Sequence, residues 1–483
     1  METKAGAQIS KKAFFQSVYI LAFLMLIAGI LTRTIPAGQY QRTITEGRQM
    51  IEPGSFAYTP RPDYPVWRWL TAPFEALAGP DGLVLIVIIV FIVLVGASFA
   101  VLEKSGILHA ALSAIVKKFG GKKYLLLMMI SLFFMLMGAF FGIFEEIVPL
   151  VPLMIALAYY LGWDALIGLG MSILATNMGF SAALTNPFTI GVAQKLAGLP
   201  PFSGFAFRIP IFITIYAVLV IFLLRYAKRI DRQPESSLIF DSDQAERVKY
   251  RQLDLDTLRT DQDKLTGATI WFLCFVILIV FTLVGSSFIP FLTDYALPLV
   301  GVLFFLGGLG AGILAGTRGQ ALRRALLEGI GGVAPAVPLI MMAGSIKHIV
   351  TTGGVMDTIL NSASQPLAGA SPLLAVLIIY LLALFIELFI GSAGAKAVLM
   401  MPILLPLADL VGVTRQVTVL AYCFGDGFSN MAYPTNPVLL IALGLAAISY
   451  GKWMRWTLRL WAVVIPISIF FLWLSIAIGY GPF

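Results

Sequence analysis

The chain has 483 residues, of which 59% are hydrophobic and only 12% charged, with a mean hydropathy of +0.92. A soluble surface takes about 25% charged residues, so this composition excludes an ordinary soluble protein and places most of the surface against lipid. The formal charge of +8 sits in short basic clusters between apolar runs, the pattern of cytoplasmic loops rather than of a nucleic-acid-binding face.

A spanning helix needs about 20 apolar residues, and runs of that kind lie at 14–32, 82–103, 208–229, 266–287, 295–316, 331–350 and 457–479. Lys4, Lys11 and Lys12 precede the first run, and no small-residue cleavage site follows it. That predicts a retained first helix. The stretch 33–80, punctuated by Pro36, Pro53, Pro60, Pro62 and Pro65, reads as an external loop or small lid. The longest charged segment, 230–264, reads as a cytosolic linker between a first half (1–229) and a second half (265–483). Cys274 and Cys423 both lie in apolar segments, so two buried free thiols and no disulfide framework are expected.

Two further apolar regions, 124–198 and 371–448, are interrupted. Thr185-Asn186-Pro187 in the first recurs 250 residues later as Thr435-Asn436-Pro437, and the same offset matches Pro152 to Pro402, Gly162 to Gly412 and Ala182 to Ala432. A polar, helix-breaking triplet is costly in hydrocarbon, because freed backbone groups find no water there. Its recurrence in two halves points to a transporter built from repeats around a midplane site. Basic clusters set the orientation: Lys104, Lys117, Lys118, Lys122 and Lys123; Arg225, Lys228, Arg229 and Arg232; Arg318, Arg323 and Arg324; Lys452, Arg455 and Arg459. All four face the cytoplasm if 124–162 and 371–412 are re-entrant hairpins and 165–198 and 416–448 cross as broken helices. The expected fold is therefore an all-α polytopic membrane protein of two inverted-topology repeats, with nine crossings, two hairpins and a cytoplasmic N-terminus.

Hairpin 1 turns around Gly142, with Glu145 and Glu146 beside it. Hairpin 2 turns around Gly391, Ser392 and Gly394, with Lys396 beside it. Glycine and serine at a tip permit a tight turn that leaves backbone groups free for a ligand. The broken helices supply Asn177, Ser181, Thr185 and Asn186 on one side and Asp426, Asn430, Thr435 and Asn436 on the other. Half-helix ends carry partial charge and unwound carbonyls can coordinate Na⁺, so Thr185, Asn186, Thr435 and Asn436 are candidate Na⁺ positions. The offset sets Glu146 against Lys396, a pair suited to clamp the ammonium and carboxylate of an amino acid. Glu387, one turn before the second tip, is a further partner for Lys396. Glu145, Glu146 and Asp426 suit H⁺ coupling, and pure exchange needs no coupling ion.

The sequence contains no His-Glu-x-x-His, Gly-x-Ser-x-Gly or phosphate-loop motif, which argues against an enzyme and against ATP-driven transport. Gly391 to Ala397, Met401-Pro402, Pro406, Asn430 with Pro434 to Pro437, and Phe144 to Pro152 together resemble the YfcC-type members of the anaerobic C4-dicarboxylate carrier and arginine/ornithine antiporter family, within the ion transporter superfamily. That resemblance implies a secondary active transporter of the bacterial inner membrane. Glu146 set against Lys396 favours a small amino acid or peptide-like organic ion as cargo, with a channel as a distant alternative, and the resemblance keeps a C4-dicarboxylate as the runner-up. It also implies cargo or ions bound between each hairpin tip and the nearby break, and a homodimer. The tips depart from the Ser-Asn-Thr of sodium/dicarboxylate relatives, so dicarboxylate selectivity does not carry over.

Overall fold

The computed structural model describes residues 11–45, 48–108, 110, 120–244, 262–286 and 289–481. The expected runs form continuous helices at Lys11–Thr34, Gly82–Lys104, Phe205–Arg232, Gln262–Ser286, Pro290–Leu314 and Tyr450–Ala477. Helices suit this composition because each satisfies its backbone polar groups internally. The run expected at 331–350 divides into an amphipathic helix, Gly319–Val333, and a second helix, Ala336–Thr352. The join falls at Pro335, whose ring removes a backbone donor. Counting Gly319–Thr352 together, ten helices among the described residues are long and apolar enough to cross a membrane. Two of the ten, Lys123–Phe141 and Ala393–Leu410, are arms of the regions read as hairpins.

The stretch 33–80 is more ordered than a loop. Gly38–Gln39 pairs antiparallel with Ala57–Tyr58, and Arg42–Thr45 with Arg48–Ile51. An amphipathic helix, Arg68–Ala78, follows and packs on Ala336–Thr352. The strands are tied down by Asp357, which accepts hydrogen bonds from Arg42 at 2.8 Å and from the Tyr40 amide at 3.0 Å. Strands of two to four residues carry too little alternation to be read from sequence.

Of the linker, 245–261 lies outside the described residues, as do Lys4, Lys117 and Lys118. Its first part is anchored: Ser237 and Tyr226 donate to buried Asp164, at 2.7 and 2.8 Å. Cys423 is buried as expected, but Cys274 is exposed. It lies on the outer side of Gln262–Ser286, where an apolar environment is lipid rather than protein.

The helices pack in two groups. Lys11–Thr34, Gly82–Lys104 and the helices from Gln262 to Thr352 form one group. The interrupted regions, with Phe205–Arg232 and Tyr450–Ala477, form the other. In the second group, Lys123–Leu136 leads through a π-helical turn, Met137–Phe141, to Gly142, then a 3-10 turn, Glu145–Leu150, and a return helix, Val151–Tyr160. Pro372–Glu387 and Ala393–Leu410 form the second pair of arms. The first broken helix runs from Ala165 to Ala182, opens over 183–186 and resumes at Pro187. The second runs Arg415–Ser429 and resumes as Pro437–Leu445.

Candidate functional site

Each Thr-Asn-Pro triplet is built the same way. The asparagine is the N-cap of the resuming half-helix and the proline its first residue, where a missing N–H costs nothing. Asn186 Oδ1 accepts from the amides of Phe188 (2.9 Å) and Thr189 (3.2 Å). Asn436 Oδ1 accepts from Val438 (2.9 Å) and Leu439 (3.4 Å), while its amide nitrogen donates to Asn430 Oδ1 at 3.2 Å. Both asparagine oxygens are thus committed to caps, and an Na⁺ ion at these positions would draw mainly on backbone carbonyls.

The first break is under strain. Ala183 ends its half-helix with φ +42°, a left-handed conformation costly for a residue with a Cβ. Hairpin 1 fastens the break from outside: the Thr185 amide donates to the Ala139 carbonyl and its hydroxyl to the Phe140 carbonyl, both at 3.0 Å. Gly142, at φ +67°, touches the cap itself, since a Cβ there would lie 2.2 Å from Asn186 Oδ1. Hairpin 2 reaches the same segment, for a Cβ on Gly394 would stand 3.7 Å from the Phe188 carbonyl oxygen. Both tips therefore converge on Asn186–Phe188. The two broken helices also cross, with Gly427 against Ser181, where a Cβ would fall 2.4 Å from the Ser181 Cα.

The charges fall elsewhere than the 250-residue offset suggested. Lys396, with no exposed surface, is hydrogen-bonded to buried Glu387 and lies 2.7 Å from Asp426 Oδ1. The Glu387 partnership was expected; the clamp with Glu146 does not form. Residues related by a repeat offset are equivalents, and equivalents meet only beside the axis that relates the halves. Glu145 and Glu146 instead lie half-buried in the turn that packs on Pro290–Leu314 and Pro437–Leu445. Glu146 accepts from the Phe144 amide at 3.2 Å, and among the described residues neither glutamate has an ion-pair partner.

Not every expected residue joins the cluster. Gly391 and Ser392 are exposed, and Thr435 is half-buried. Ser181 spends its hydroxyl on the Asn177 carbonyl at 2.7 Å. The Asn177 amide group and the Asn186 amide nitrogen are buried with no hydrogen-bond partner among the described residues. Such groups are costly unless a ligand satisfies them.

Sequence reasoning did not single out Arg208, the first residue of the run at 208–229. It is buried and donates to the carbonyls of Leu184 (3.2 Å), Phe202 (3.0 Å) and Ser203 (2.8 Å) and to the Tyr480 hydroxyl (3.2 Å). The signal was an arginine within an apolar run and two residues before Pro210. Arg208→Met strands the Leu184 and Phe202 carbonyls near the first break, whereas the Ser203 carbonyl keeps the Gln194 amide at 2.8 Å. The variant is expected to cost about 2–6 kcal/mol in thermal or denaturant unfolding, at about 1–3 kcal/mol per orphaned group. Arg208→Lys should recover part of that loss, because a point charge replaces a planar fork.

The model of the C4-dicarboxylate anaerobic carrier family matches residues 14–477. The chain belongs to that family. It is 29% identical over 478 residues to the "Putative basic amino acid antiporter YfcC" of Escherichia coli K12, covering 91% of this chain and 92% of that protein. It is 26% identical over 373 residues to an uncharacterized protein of Haemophilus influenzae, covering 77% of this chain and 72% of the relative. Among solved structures it is similar to the YdaH transporter of Alcanivorax borkumensis (17% identity, TM-score 0.39, 97% and 98% of the two chains covered). It is also similar to MtrF of Neisseria gonorrhoeae, one of a class of antimetabolite efflux pumps (19% identity, TM-score 0.40, 95% and 94% covered). This family member is a multi-pass membrane transporter of small molecules and not an enzyme.

Proposed function

We propose that the protein is a secondary active transporter that exchanges a basic amino acid across the bacterial inner membrane by alternating access. The observation that carries this reading is the charge inventory beside the converging tips. Glu387, Asp426, Glu145 and Glu146 are carboxylates against one lysine, and that lysine is already engaged. An acidic excess at this depth favours a cationic cargo group, since unbalanced charge in a low-dielectric site is expensive. The unpartnered amides of Asn177 and Asn186 are neutral donors suited to the cargo's α-carboxylate. The name of the Escherichia coli relative agrees with a basic amino acid.

The family's name favours a C4-dicarboxylate as the second reading. Against it, both buried cations of the region are committed: Lys396 to two acids, Arg208 to carbonyls. In our reading the two hairpin-and-broken-helix units are inverted repeats that move against the first helix group in a homodimer. The N-terminus and the four basic clusters then face the cytoplasm. Exchange needs no coupling ion, and the carboxylates leave H⁺ coupling chemically open, as backbone carbonyls at the breaks do for Na⁺.

A thermal-shift comparison of the purified protein tests the cargo. At about 100 Kd of ligand the folded state gains about 2.7 kcal/mol, so arginine, ornithine or lysine should raise the unfolding temperature. Stabilisation by fumarate, malate or succinate with none by basic amino acids would replace this reading with the dicarboxylate one.

A further inference from the structure

Lys396, Glu387 and Asp426 form a closed charge cluster: all three are buried, and the ammonium sits between the two carboxylates. With all three groups ionised, the cluster carries a net charge of −1. The Tyr422 hydroxyl is spent on the Ala393 carbonyl at 2.5 Å. Glu387 keeps one oxygen without a partner among the described residues. The acidic pair therefore holds one monovalent cation, supplied here by the chain itself. Exchanging that ammonium for a free ammonium or guanidinium leaves the buried charge unchanged, so the swap carries no added desolvation of net charge.

The position of Lys396 suits such a swap. It lies in the first turn of Ala393–Leu410, directly after exposed Gly391 and Ser392. Its neighbour Ala395 lines a cavity of about 400 Å³ beneath the short strands, shared with Arg42, Lys347 and Asp357. A lysine on its flexible four-carbon stem can leave the acids toward such a space, where a rigid guanidinium fork would lose more on moving.

We infer that Lys396 is a tethered counter-cation, which occupies the Glu387–Asp426 pair until the basic side chain of the cargo, an alkylammonium or guanidinium, displaces it. This rests on the basic amino-acid reading of the site for the identity of the cargo, but not for the valence of the acidic pair. A tethered group competes at an effective concentration in the millimolar range, so its removal should strengthen cargo binding. A lysine that contacts the cargo directly would do the opposite.

The test compares the full-length wild type with Lys396→Ala in detergent. Two measurements are made: thermal unfolding in ethylammonium chloride against equal choline chloride, and the Kd for labelled arginine. Ethylammonium is expected to stabilise the variant and not the wild type, and arginine to bind the variant about 10-fold tighter or more. A variant indifferent to ethylammonium, with arginine affinity unchanged or weaker, overturns the inference while leaving the cargo reading intact. Ethylammonium rescue without arginine binding to either protein supports the counter-cation and removes the basic amino-acid reading instead. Should Lys396→Ala fail to fold, Lys396→Ala/Glu387→Gln keeps the cluster at −1 through Asp426 alone. Ethylammonium should stabilise that double variant, and indifference to it counts against the inference in the same way.

Discussion

Asp426→Asn is expected to lower uptake of a basic amino acid about 100-fold or more while leaving the protein folded. Asp426 has no exposed surface and stands 2.7 Å from the Lys396 ammonium, on the helix that crosses Ser181. The substitution keeps the shape and leaves Lys396 with Glu387 alone, a one-to-one pair with no surplus charge for a cation. Losing one partner of a buried charge contact costs about 2–5 kcal/mol, and 2.7 kcal/mol corresponds to about two decades in affinity. Transport kinetics in proteoliposomes check the first half, and thermal unfolding checks the second. Unchanged uptake would move the cargo away from this cluster. Collapse of the fold would make Asp426 a structural group first.

The second large effect is expected at Gly142→Ala, and it is on stability as well as transport. Three costs add. A Cβ at φ +67° carries about 1–2 kcal/mol of left-handed strain. It would overlap Asn186 Oδ1 at 2.2 Å and Phe188 Cδ2 at 2.8 Å. Displacing Asn186 then removes a cap worth about 0.5–2 kcal/mol. A total of about 3 kcal/mol or more should appear as a large drop in unfolding temperature, with transport lost because the tip and the break no longer seat together. Gly267→Ala is the matched control. It lies in Gln262–Ser286, and a Cβ there meets nothing within 4 Å. That substitution should be neutral or stabilising by about 0.5–1 kcal/mol. Equal behaviour of the two variants would contradict the tip-to-break contact.

These two residues also mark what could be read from the sequence. Gly142 and the Asn186 break were visible because glycine, proline and polar residues inside apolar runs have few structural uses at membrane depth. The helices are interrupted at 142–144, 183–186, 388–392 and 430–436. The pairing of charges was not visible. Asp426 and Lys396 are neighbours only because separate helices bring them together, and an offset between halves names counterparts, not contacts. Arg208 was hidden for the opposite reason: its partners are mostly backbone carbonyls, which every sequence supplies equally. The short strands within 38–58 lay below the length at which a period of two can be distinguished.

The most direct test of the account is counterflow in proteoliposomes loaded with unlabelled arginine. Labelled arginine should then accumulate transiently against its gradient and saturate with concentration, and external malate should not compete. Labelled malate accumulating against internal malate, with arginine inert on both sides, would contradict the assignment of a cationic cargo to the Glu387–Asp426 site.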